Sequence, residues 1–409
     1  MKENILENTK VVEKSARKVL AMATLSHMTQ HLYMGVSVLY PSIMASLQLN
    51  YAELGLAVSV GAILAGILQL LMSILSRYAP RRIILGVGNI LYSISEFGTG
   101  LSQNFYHLFS ANLIGGVGQA VQHPIGVSIL SDKFRKASVG GALGTFYGVA
   151  YLGNIIGPIF LATLATAIGW RNSLFLFAIA PALIGIYLII YLRGELSAGK
   201  THKHVSLRKD LLSSIHVKDA VPVIMAQSLL AGGTGMGALV IYTPLFLANQ
   251  IHLSTLHVGT VFSIMMLGGV IGPMVIGKYS DKIGYLKAAI ICSLIASLLV
   301  YLLPRHTISS PIMILHLFLL GILGFPATSL LQAHLSTVAK HSQRDIVLGL
   351  FFTIGYGLAA VWSVVMGFII QIYGSFKPAY EFMAFLVLLG ALPMIYVKLQ
   401  QRDPTQTQE

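Results

Sequence analysis

Long apolar blocks alternate with short polar segments along the chain. Each block holds roughly 20 or more residues, the length that a helix needs to cross ~30 Å of hydrocarbon. The blocks cover 19–47, 52–76, 82–101, 105–131, 138–167 and 171–192, and then 219–248, 254–277, 285–304, 311–338, 346–372 and 376–397. This pattern predicts an all-α membrane protein with 12 transmembrane helices and both termini on one side.

The longest internal polar stretch divides the blocks into two sets of six. We predict a tail over 1–18, six-helix bundles over 19–193 and 219–398 joined by a central loop over 194–218, and a second tail over 399–409.

A weak repeat relates the two predicted bundles. Tyr40-Pro41 matches Tyr242-Thr243-Pro244, and Gly55 matches Gly259. Repeats of this kind hold a substrate at their interface, near the middle of the membrane. The pattern therefore predicts two pseudo-symmetric bundles around a small-molecule site.

The composition supports the bilayer as the solvent. Hydrophobic residues make up 55% of the chain and charged residues 10%, too few charges for a soluble domain of this length. Nearly all of the 27 Lys and Arg residues lie in the two tails or in loops on their side, with Arg171, Arg305 and Lys377 as exceptions. The positive-inside rule then places both termini in the cytoplasm, in the cell (inner) membrane.

The same distribution argues against nucleic acid as a partner, although the net charge is +13. Basic residues in short loops set the orientation and meet anionic lipid headgroups. Cys292 is the only cysteine, which excludes a disulfide within one chain. We expect no cofactor and a monomer.

Two polar clusters interrupt the apolar blocks near the middle of the membrane. In the first block His27 and His31 are four residues apart, beside Gln30, and in the fourth block Gln119 and His123 are four apart, beside Gln122. They predict a patch that binds substrate and takes up protons. Hydrogen bonds between helices 1 and 4 are the structural alternative. A metal site is not predicted, because no carboxylate or cysteine completes a ligand shell.

Further polar residues in the blocks are weaker candidates. Glu96 is a carboxylate well inside the third block, and it either carries a proton or reaches the outer surface. Tyr147, Tyr151, Gln227, Tyr242 and Gln332 either line a cavity or pack between helices. No Lys or Arg lies in the middle of a block, so a neutral, amphiphilic or singly charged solute fits better than a phosphate.

One loop carries a family resemblance. Residues 277–287 read G-K-Y-S-D-K-I-G-Y-L-K, which resembles the inner-loop signature G-x-x-x-D-x-x-G-x-x-K of the major facilitator superfamily. The resemblance implies the major facilitator fold and a gating loop built on Gly277, Asp281, Gly284 and Lys287, with Gly277 at a close helix contact. The equivalent loop of the first half holds Arg77, Arg81 and Arg82, and Arg77 replaces the acid.

Two further stretches indicate a subgroup. Residues 26–31, S-H-M-T-Q-H, and 121–124, V-Q-H-P, are similar to motifs of fosmidomycin-resistance-type transporters. His31 and Ile125 replace the acids of that subgroup, so its coupling mechanism does not carry over. Gly153, Gly157 and Pro158 resemble the G-x-x-x-G-P signature of proton-driven drug antiporters, although helix packing explains them equally well.

These features predict a secondary transporter. The leading hypothesis is proton-coupled efflux of a small organic compound, as in drug-resistance antiporters. The alternative is uptake of a small monocarboxylate or a neutral nutrient. A sensor or scaffold that has lost transport is a third class, and an enzyme is not expected because no catalytic arrangement lies on the helices.

Overall fold

The computed structural model describes residues 2–76, 78–134, 138–191 and 217–401, and the elements in these ranges are helices. The first half (2–191) forms α1 (Lys2–Tyr33), α2 (Tyr40–Leu47), α3 (Tyr51–Leu75), α4 (Arg81–Leu101), α5 (Phe105–Gln119), α6 (Gln122–Lys133), α7 (Val139–Ile168) and α8 (Trp170–Tyr191). The second half (217–401) forms α9 (Ala220–Leu230), α10 (Ala238–Asn249), α11 (Thr255–Ile283), α12 (Tyr285–Leu302), α13 (Pro311–Gly324), α14 (Pro326–Val338), α15 (His341–Tyr373) and α16 (Phe376–Gln400).

Eight helices of the described residues are long and apolar enough to cross a membrane. The helical membrane architecture is therefore confirmed, whereas the number of 12 crossings stays a prediction. The other predicted crossings are interrupted or more polar. α1 and α2 are separated by the 3₁₀ segment Met34–Leu39, and α5–α6 and α9–α10 are broken by short turns. α4 carries Arg81, Arg82 and Glu96.

Several helix ends follow directly from the sequence. At the start of α3, Asn50 and Glu53 form a capping box: the Glu53 backbone N–H donates to the Asn50 side chain, and the Asn50 N–H donates to the Glu53 carboxylate, both at 2.9 Å. Glu53 is thus a helix-capping charge. The first helix is longer than expected: α1 begins at Lys2, so the residues predicted to form a polar tail are part of this helix.

Two helix pairs make the most extensive contacts between the halves: α3 packs along α15, and α7 packs along α11. Glycines allow both approaches. A Cβ atom at Gly55 on α3 would lie 3.0 Å from the carbonyl oxygen of Ser363, and one at Gly259 on α11 would lie 2.8 Å from that of Pro158. Gly55 and Gly259 are also matched by the sequence repeat. The repeat therefore has a counterpart in the two contacts between the halves.

The apolar core is distributed unequally between the two ends of the helices. One large cluster takes residues from both halves, among them Leu39, Ile43, Leu161 and Phe246, and it fills the end that carries the turns at 48–50 and 250–254. We call this the closed end. The other clusters each stay within one half. Among the described residues, the buried apolar cluster shared by both halves thus lies at the closed end.

Candidate functional site

A cavity of about 450 Å³ lies between the two halves. Its polar wall comes from both of them: His31, Gln69, His123, Tyr147, Tyr151 and Asn154 from the first half, and Gln227, Thr234, Thr328, Ser329 and Gln332 from the second. Phe325, Phe352 and Met236 supply apolar surface. The volume lies within the range of ~300–1,000 Å³ that is usual for small-molecule sites.

The cavity wall has no permanently charged side chain among the residues that the structure describes. Imidazole is the side-chain type whose ordinary pKa lies nearest to neutral pH, and the wall carries two imidazoles, those of His31 and His123. A bound ion must therefore find its electrostatic partner in a histidine or in aligned dipoles.

The histidines of helices α1 and α6 come together, as the sequence predicts. His31 Nδ1 lies 2.9 Å from Asn154 Oδ1, and His31 Nε2 lies 3.2 Å from His27 Nε2. The ring centroids of His27 and His123 are 5.0 Å apart. His27 is fully buried and stacks on Phe146, so His31 and His123 present this cluster to the cavity.

Two tyrosines of α7 stand beside the histidines. The Tyr151 ring centroid is 4.8 Å from that of His31, and the Tyr147 ring centroid is 5.5 Å from that of His27. Both tyrosines line the cavity. They lie one turn apart on α7, which places two aromatic faces and two hydroxyls next to the imidazoles.

The glutamines of the two sequence clusters lie elsewhere. Gln122 is buried, and its Nε2 donates to Ser26 Oγ at 2.7 Å, while Asn89 Nδ2 donates to the same hydroxyl at 2.7 Å. This bond network joins α1, α4 and α6. Gln30 is buried as well, and neither Gln30 nor Gln119 is part of the cavity wall. Gln122 therefore joins helices through hydrogen bonds, whereas His31 and His123 line the cavity.

In the second half, some of the candidate residues line the cavity and one does not. Gln227 and Gln332 line the cavity, and Gln227 Oε1 is buried without a hydrogen-bond partner among the described residues. Tyr242 lies outside the cavity wall. It is fully buried, and its hydroxyl donates to the Ser363 carbonyl at 2.7 Å, against the contact made by Gly55. Tyr242 therefore belongs to the packing between the halves.

Glu96 lies away from the cavity and is fully buried, so the expectation that it reaches the outer surface is wrong. α4 turns this side chain inward, on the same face as Tyr92 one turn earlier.

The loop at 277–287 agrees only in part with its expected role. Gly284 has φ +92°, a backbone conformation that favours glycine, and the Asp281 carboxylate accepts a bond from the Tyr285 hydroxyl at 3.1 Å. The close contact expected at Gly277 is wrong, because a Cβ atom there would meet nothing within 4 Å. Lys287 is exposed.

The arginines of the matching loop bind within the first half. Arg81 donates to the Ser128 carbonyl at 3.5 Å, and Arg82 donates to the carbonyl of Ile189. These bonds attach the start of α4 to α6 and α8. Arg77 lies outside the described residues.

The glycines of α7 bring that helix against α1. A Cβ atom at Gly157 would lie 2.2 Å from the Leu32 carbonyl oxygen, and one at Gly153 would lie 2.8 Å from the Cβ of His31. Pro158 follows at the contact with Gly259. Close packing thus explains the whole motif, and it also fixes His31 beside Asn154.

Asn154 and Gln69 are cavity residues that the sequence argument missed. Asn154 stands inside the motif Gly153-Asn-Ile-Ile-Gly157, which we interpreted through its glycines alone. The sequence signal for a cavity residue here is a polar side chain placed between two glycines that pack helices together. Gln69 lies in an apolar block that shows no such pattern.

This architecture defines a polytopic helical membrane protein with a polar central cavity between two matched halves. The sequence model of the Major Facilitator Superfamily matches residues 20–364, and the chain belongs to that superfamily.

The similar proteins are transporters by name. The chain is 25% identical over 400 residues to the probable L-galactonate transporter of Escherichia coli strain K12, across 90% of this chain and 86% of that protein. It is 25% identical over 314 residues to the sialic acid transporter NanX of the same organism, across 73% and 74% of the two chains. A crystal structure of a variant of the nucleoside transporter NupG superposes with a TM-score of 0.77 at 14% identity, over 93% of this chain and 99% of that one. The last likeness shows the fold alone.

The superfamily and these relatives establish a transporter of small solutes, not an enzyme.

Proposed function

We propose that the chain takes up a small hydroxylated monocarboxylate together with a proton, by alternating access around the central cavity. The observation that carries the proposal is the cavity wall: hydroxyl and amide groups from both halves and two imidazoles from the first half, without a permanent charge among the described residues. Such a wall suits a substrate with many hydroxyl groups and a single anionic group.

In this proposal, His31 and His123 couple the transport of the substrate to the transport of a proton. A carboxylate in a cavity of low dielectric constant favours the protonated form of a nearby imidazole. His31 and His123 therefore bind a proton with the anion and lose it when the anion leaves. One anion and one proton then cross together, which makes the transported unit neutral.

The relatives support an acidic, hydroxylated cargo. L-galactonate and sialic acid, named for two of them, each carry one carboxylate and several hydroxyl groups. Their names describe those proteins, and the likeness extends over most of this chain.

We also propose how the protein lies in the membrane. Each interrupted helix counts as one crossing, which gives 12 crossings in bundles over 19–193 and 219–398, with both termini in the cytoplasm of the cell membrane and a monomeric protein. The closed end then faces outward, and the described conformation is open toward the cytoplasm.

The second candidate function is the export of a small solute in exchange for protons. It rests on the resemblance of residues 26–31 and 121–124 to fosmidomycin-resistance-type transporters, and on the motif of Gly153, Gly157 and Pro158. The contacts of α7 with α1 account for the glycines through packing. This weakens the argument for efflux from the motif.

Two measurements test the proposal. Purified protein is screened by thermal shift against L-galactonate, sialic acid, nitrate and glucose between pH 5 and 8, with His31→Ala and His123→Ala as variants. We expect stabilisation by a hydroxylated acid, stronger at low pH and lost in both variants. Unaltered binding in both variants contradicts the cavity assignment. The hit is then offered to vesicles with an imposed proton gradient: accumulation on the alkaline side supports uptake, and depletion there supports exchange.

A further inference from the structure

Glu96 is a buried acid outside the cavity. It lies near the end of α4, its side chain is 0% exposed, and neither carboxyl oxygen has a hydrogen-bond partner among the described residues. An ionised carboxylate without a partner in an apolar interior is unfavourable by several kcal/mol. The carboxyl group therefore carries a proton in this conformation.

Within the described part of the chain, the titratable groups around Glu96 are phenols rather than cations. Tyr92 on α4 and Tyr33 at the end of α1 are its titratable neighbours, and their rings contact each other at 5.0 Å between centroids. Tyr40 at the start of α2 completes this group of tyrosines. On the α5 side, Gly115 packs against Ser95, the residue before Glu96: a Cβ atom at Gly115 would lie 2.5 Å from the Ser95 hydroxyl oxygen.

The nearest cation on α8 is already engaged. Arg171 donates to the carbonyl oxygens of Gly100 and Ser102 at 2.7 and 2.6 Å, where it caps the end of α4. Its guanidinium group is thereby held at the helix end, one turn beyond Glu96. The proton on Glu96 is thus not replaced by a salt bridge.

Tyr33, the neighbour of Glu96 on α1, packs against the apolar cluster that seals the closed end. Tyr33 and Tyr40 flank the 3₁₀ segment Met34–Leu39, whose Val36, Val38 and Leu39 are buried in the cluster shared by both halves. A 3₁₀ stretch inside a helix often marks a hinge. Separation of the halves at the closed end must move this segment, and water then reaches the carboxyl group.

We propose that Glu96 is a proton-binding site of the outer gate. The carboxylate takes up one proton from the outer solution when the closed end forms, and it returns that proton to the same side when the end opens. The inference rests on the proposed transport cycle. It adds control by outer pH, separate from the proton that travels with the substrate at the histidines.

The sign and size of the effect follow from linkage. Since the closed form holds one proton more than the open form, a higher outer pH favours opening. The equilibrium shifts by up to about tenfold per pH unit above the value at which the exposed acid ionises.

Cysteine accessibility tests the gate without any substrate. Cys292→Ser removes the natural thiol, and Ser37→Cys places a thiol of nearly the same size in the 3₁₀ segment, at a site that is 3% exposed. A membrane-impermeant maleimide is applied from outside between pH 5 and 8. Ile308→Cys, at a position that is 70% exposed in the loop before α13, corrects for the pH dependence of thiol reactivity.

The corrected labelling should rise several-fold with pH when Glu96 is present. Glu96→Gln keeps the shape of the side chain but cannot ionise, so its labelling should be low and independent of pH. Glu96→Asp keeps the acid and should keep the rise, which tests the proposal if Glu96→Gln does not fold. Glu53→Gln removes a carboxylate of the capping box and should leave the rise unchanged.

A flat profile with Glu96 present, or a full rise in Glu96→Gln, would overturn the proposal. Because no substrate is added, this result does not depend on which solute the cavity binds. A failed binding screen and a failed gate are therefore distinguishable.

Discussion

The Nδ1–H of His31 donates to Oδ1 of Asn154 across 2.9 Å. This bond fixes the tautomer: Nε2 of His31 carries the lone pair and accepts from His27 Nε2 at 3.2 Å. The partner on α7 thus decides which nitrogen of the cavity histidine is basic. Asn154 acts on the substrate site through His31, and it also lines the cavity itself.

The first prediction concerns this bond. Asn154→Ala should weaken binding of the acidic substrate about five- to tenfold, since a buried hydrogen bond contributes about 1 kcal/mol and the imidazole loses its fixed orientation. Isothermal titration at pH 6 measures the change. Asn172→Ala is the control, because this exposed amide on α8 bonds the carbonyl of Ile168 at the end of α7, away from the cavity wall. Equal affinities in the protein with and without Asn154 would show that the bond has no role in binding.

The second prediction concerns the unpaired acceptor of Gln227. A buried amide oxygen without a partner is satisfied when a ligand hydroxyl donates to it. Gln227→Leu should therefore weaken binding of a hydroxylated acid about tenfold and leave a matching acid without that hydroxyl almost unaffected.

A competition series with hydroxylated and deoxygenated acids measures this selectivity. Ser336→Ala is the control, because its hydroxyl bonds the carbonyl of Gln332 and is not part of the cavity wall. If Gln227→Leu weakens both acids equally, Gln227 supports the cavity shape without recognising a hydroxyl.

The sequence predicts the helices well because apolar length is a local property. The block at 285–304 corresponds to α12 (Tyr285–Leu302), and the block at 376–397 to α16 (Phe376–Gln400). The approach of the α1 histidines to His123 also follows, with the His27 and His123 rings 5.0 Å apart, since four-residue spacing puts His27 and His31 on one helix face. These signals need no knowledge of the partner helix.

The remaining site residues depend on partners that are distant in the sequence. Gln122 and His123 are neighbours, yet Gln122 bonds Ser26 and Asn89 while His123 faces the cavity. Tyr242 was a cavity candidate, but its hydroxyl is taken by Ser363, 121 positions away. Hydropathy carries no information on such pairings, and an isolated polar residue in a span fits either role.

The third prediction concerns the packing of α7 on α1. Gly157→Ala places a Cβ atom 2.2 Å from the backbone oxygen of Leu32, which only a backbone shift can relieve. Overpacking of this kind costs about 1–3 kcal/mol, so the melting temperature in detergent should fall by several degrees.

Gly277→Ala is the matched control, because its Cβ atom would meet nothing within 4 Å. It should be neutral or slightly stabilising, since alanine is the better helix former. Equal melting temperatures for the two variants would mean that α1 and α7 pack less closely than described.

The last prediction concerns pH and the loop between α12 and α13. His306 Nε2 lies 2.9 Å from His316 Nδ1, and His316 Nε2 donates to the Leu299 carbonyl at 2.8 Å. Burial lowers the pKa of His306 below its ordinary value of 6.5. The unfolded chain therefore binds a proton at His306 at a higher pH than the folded chain does. The stability is fully present above pH 6.5 and falls as the pH drops through that value toward the lower folded pKa.

His306→Gln keeps a donor for His316 but cannot take up that proton. The loss of melting temperature between pH 7 and 5 should thus be smaller in this variant, as differential scanning fluorimetry in detergent would show. His107→Gln removes an exposed imidazole in the first turn of α5 and serves as the control. If His306→Gln loses as much stability on acidification as the unsubstituted protein, the histidine pair does not contribute to the acid sensitivity of the fold.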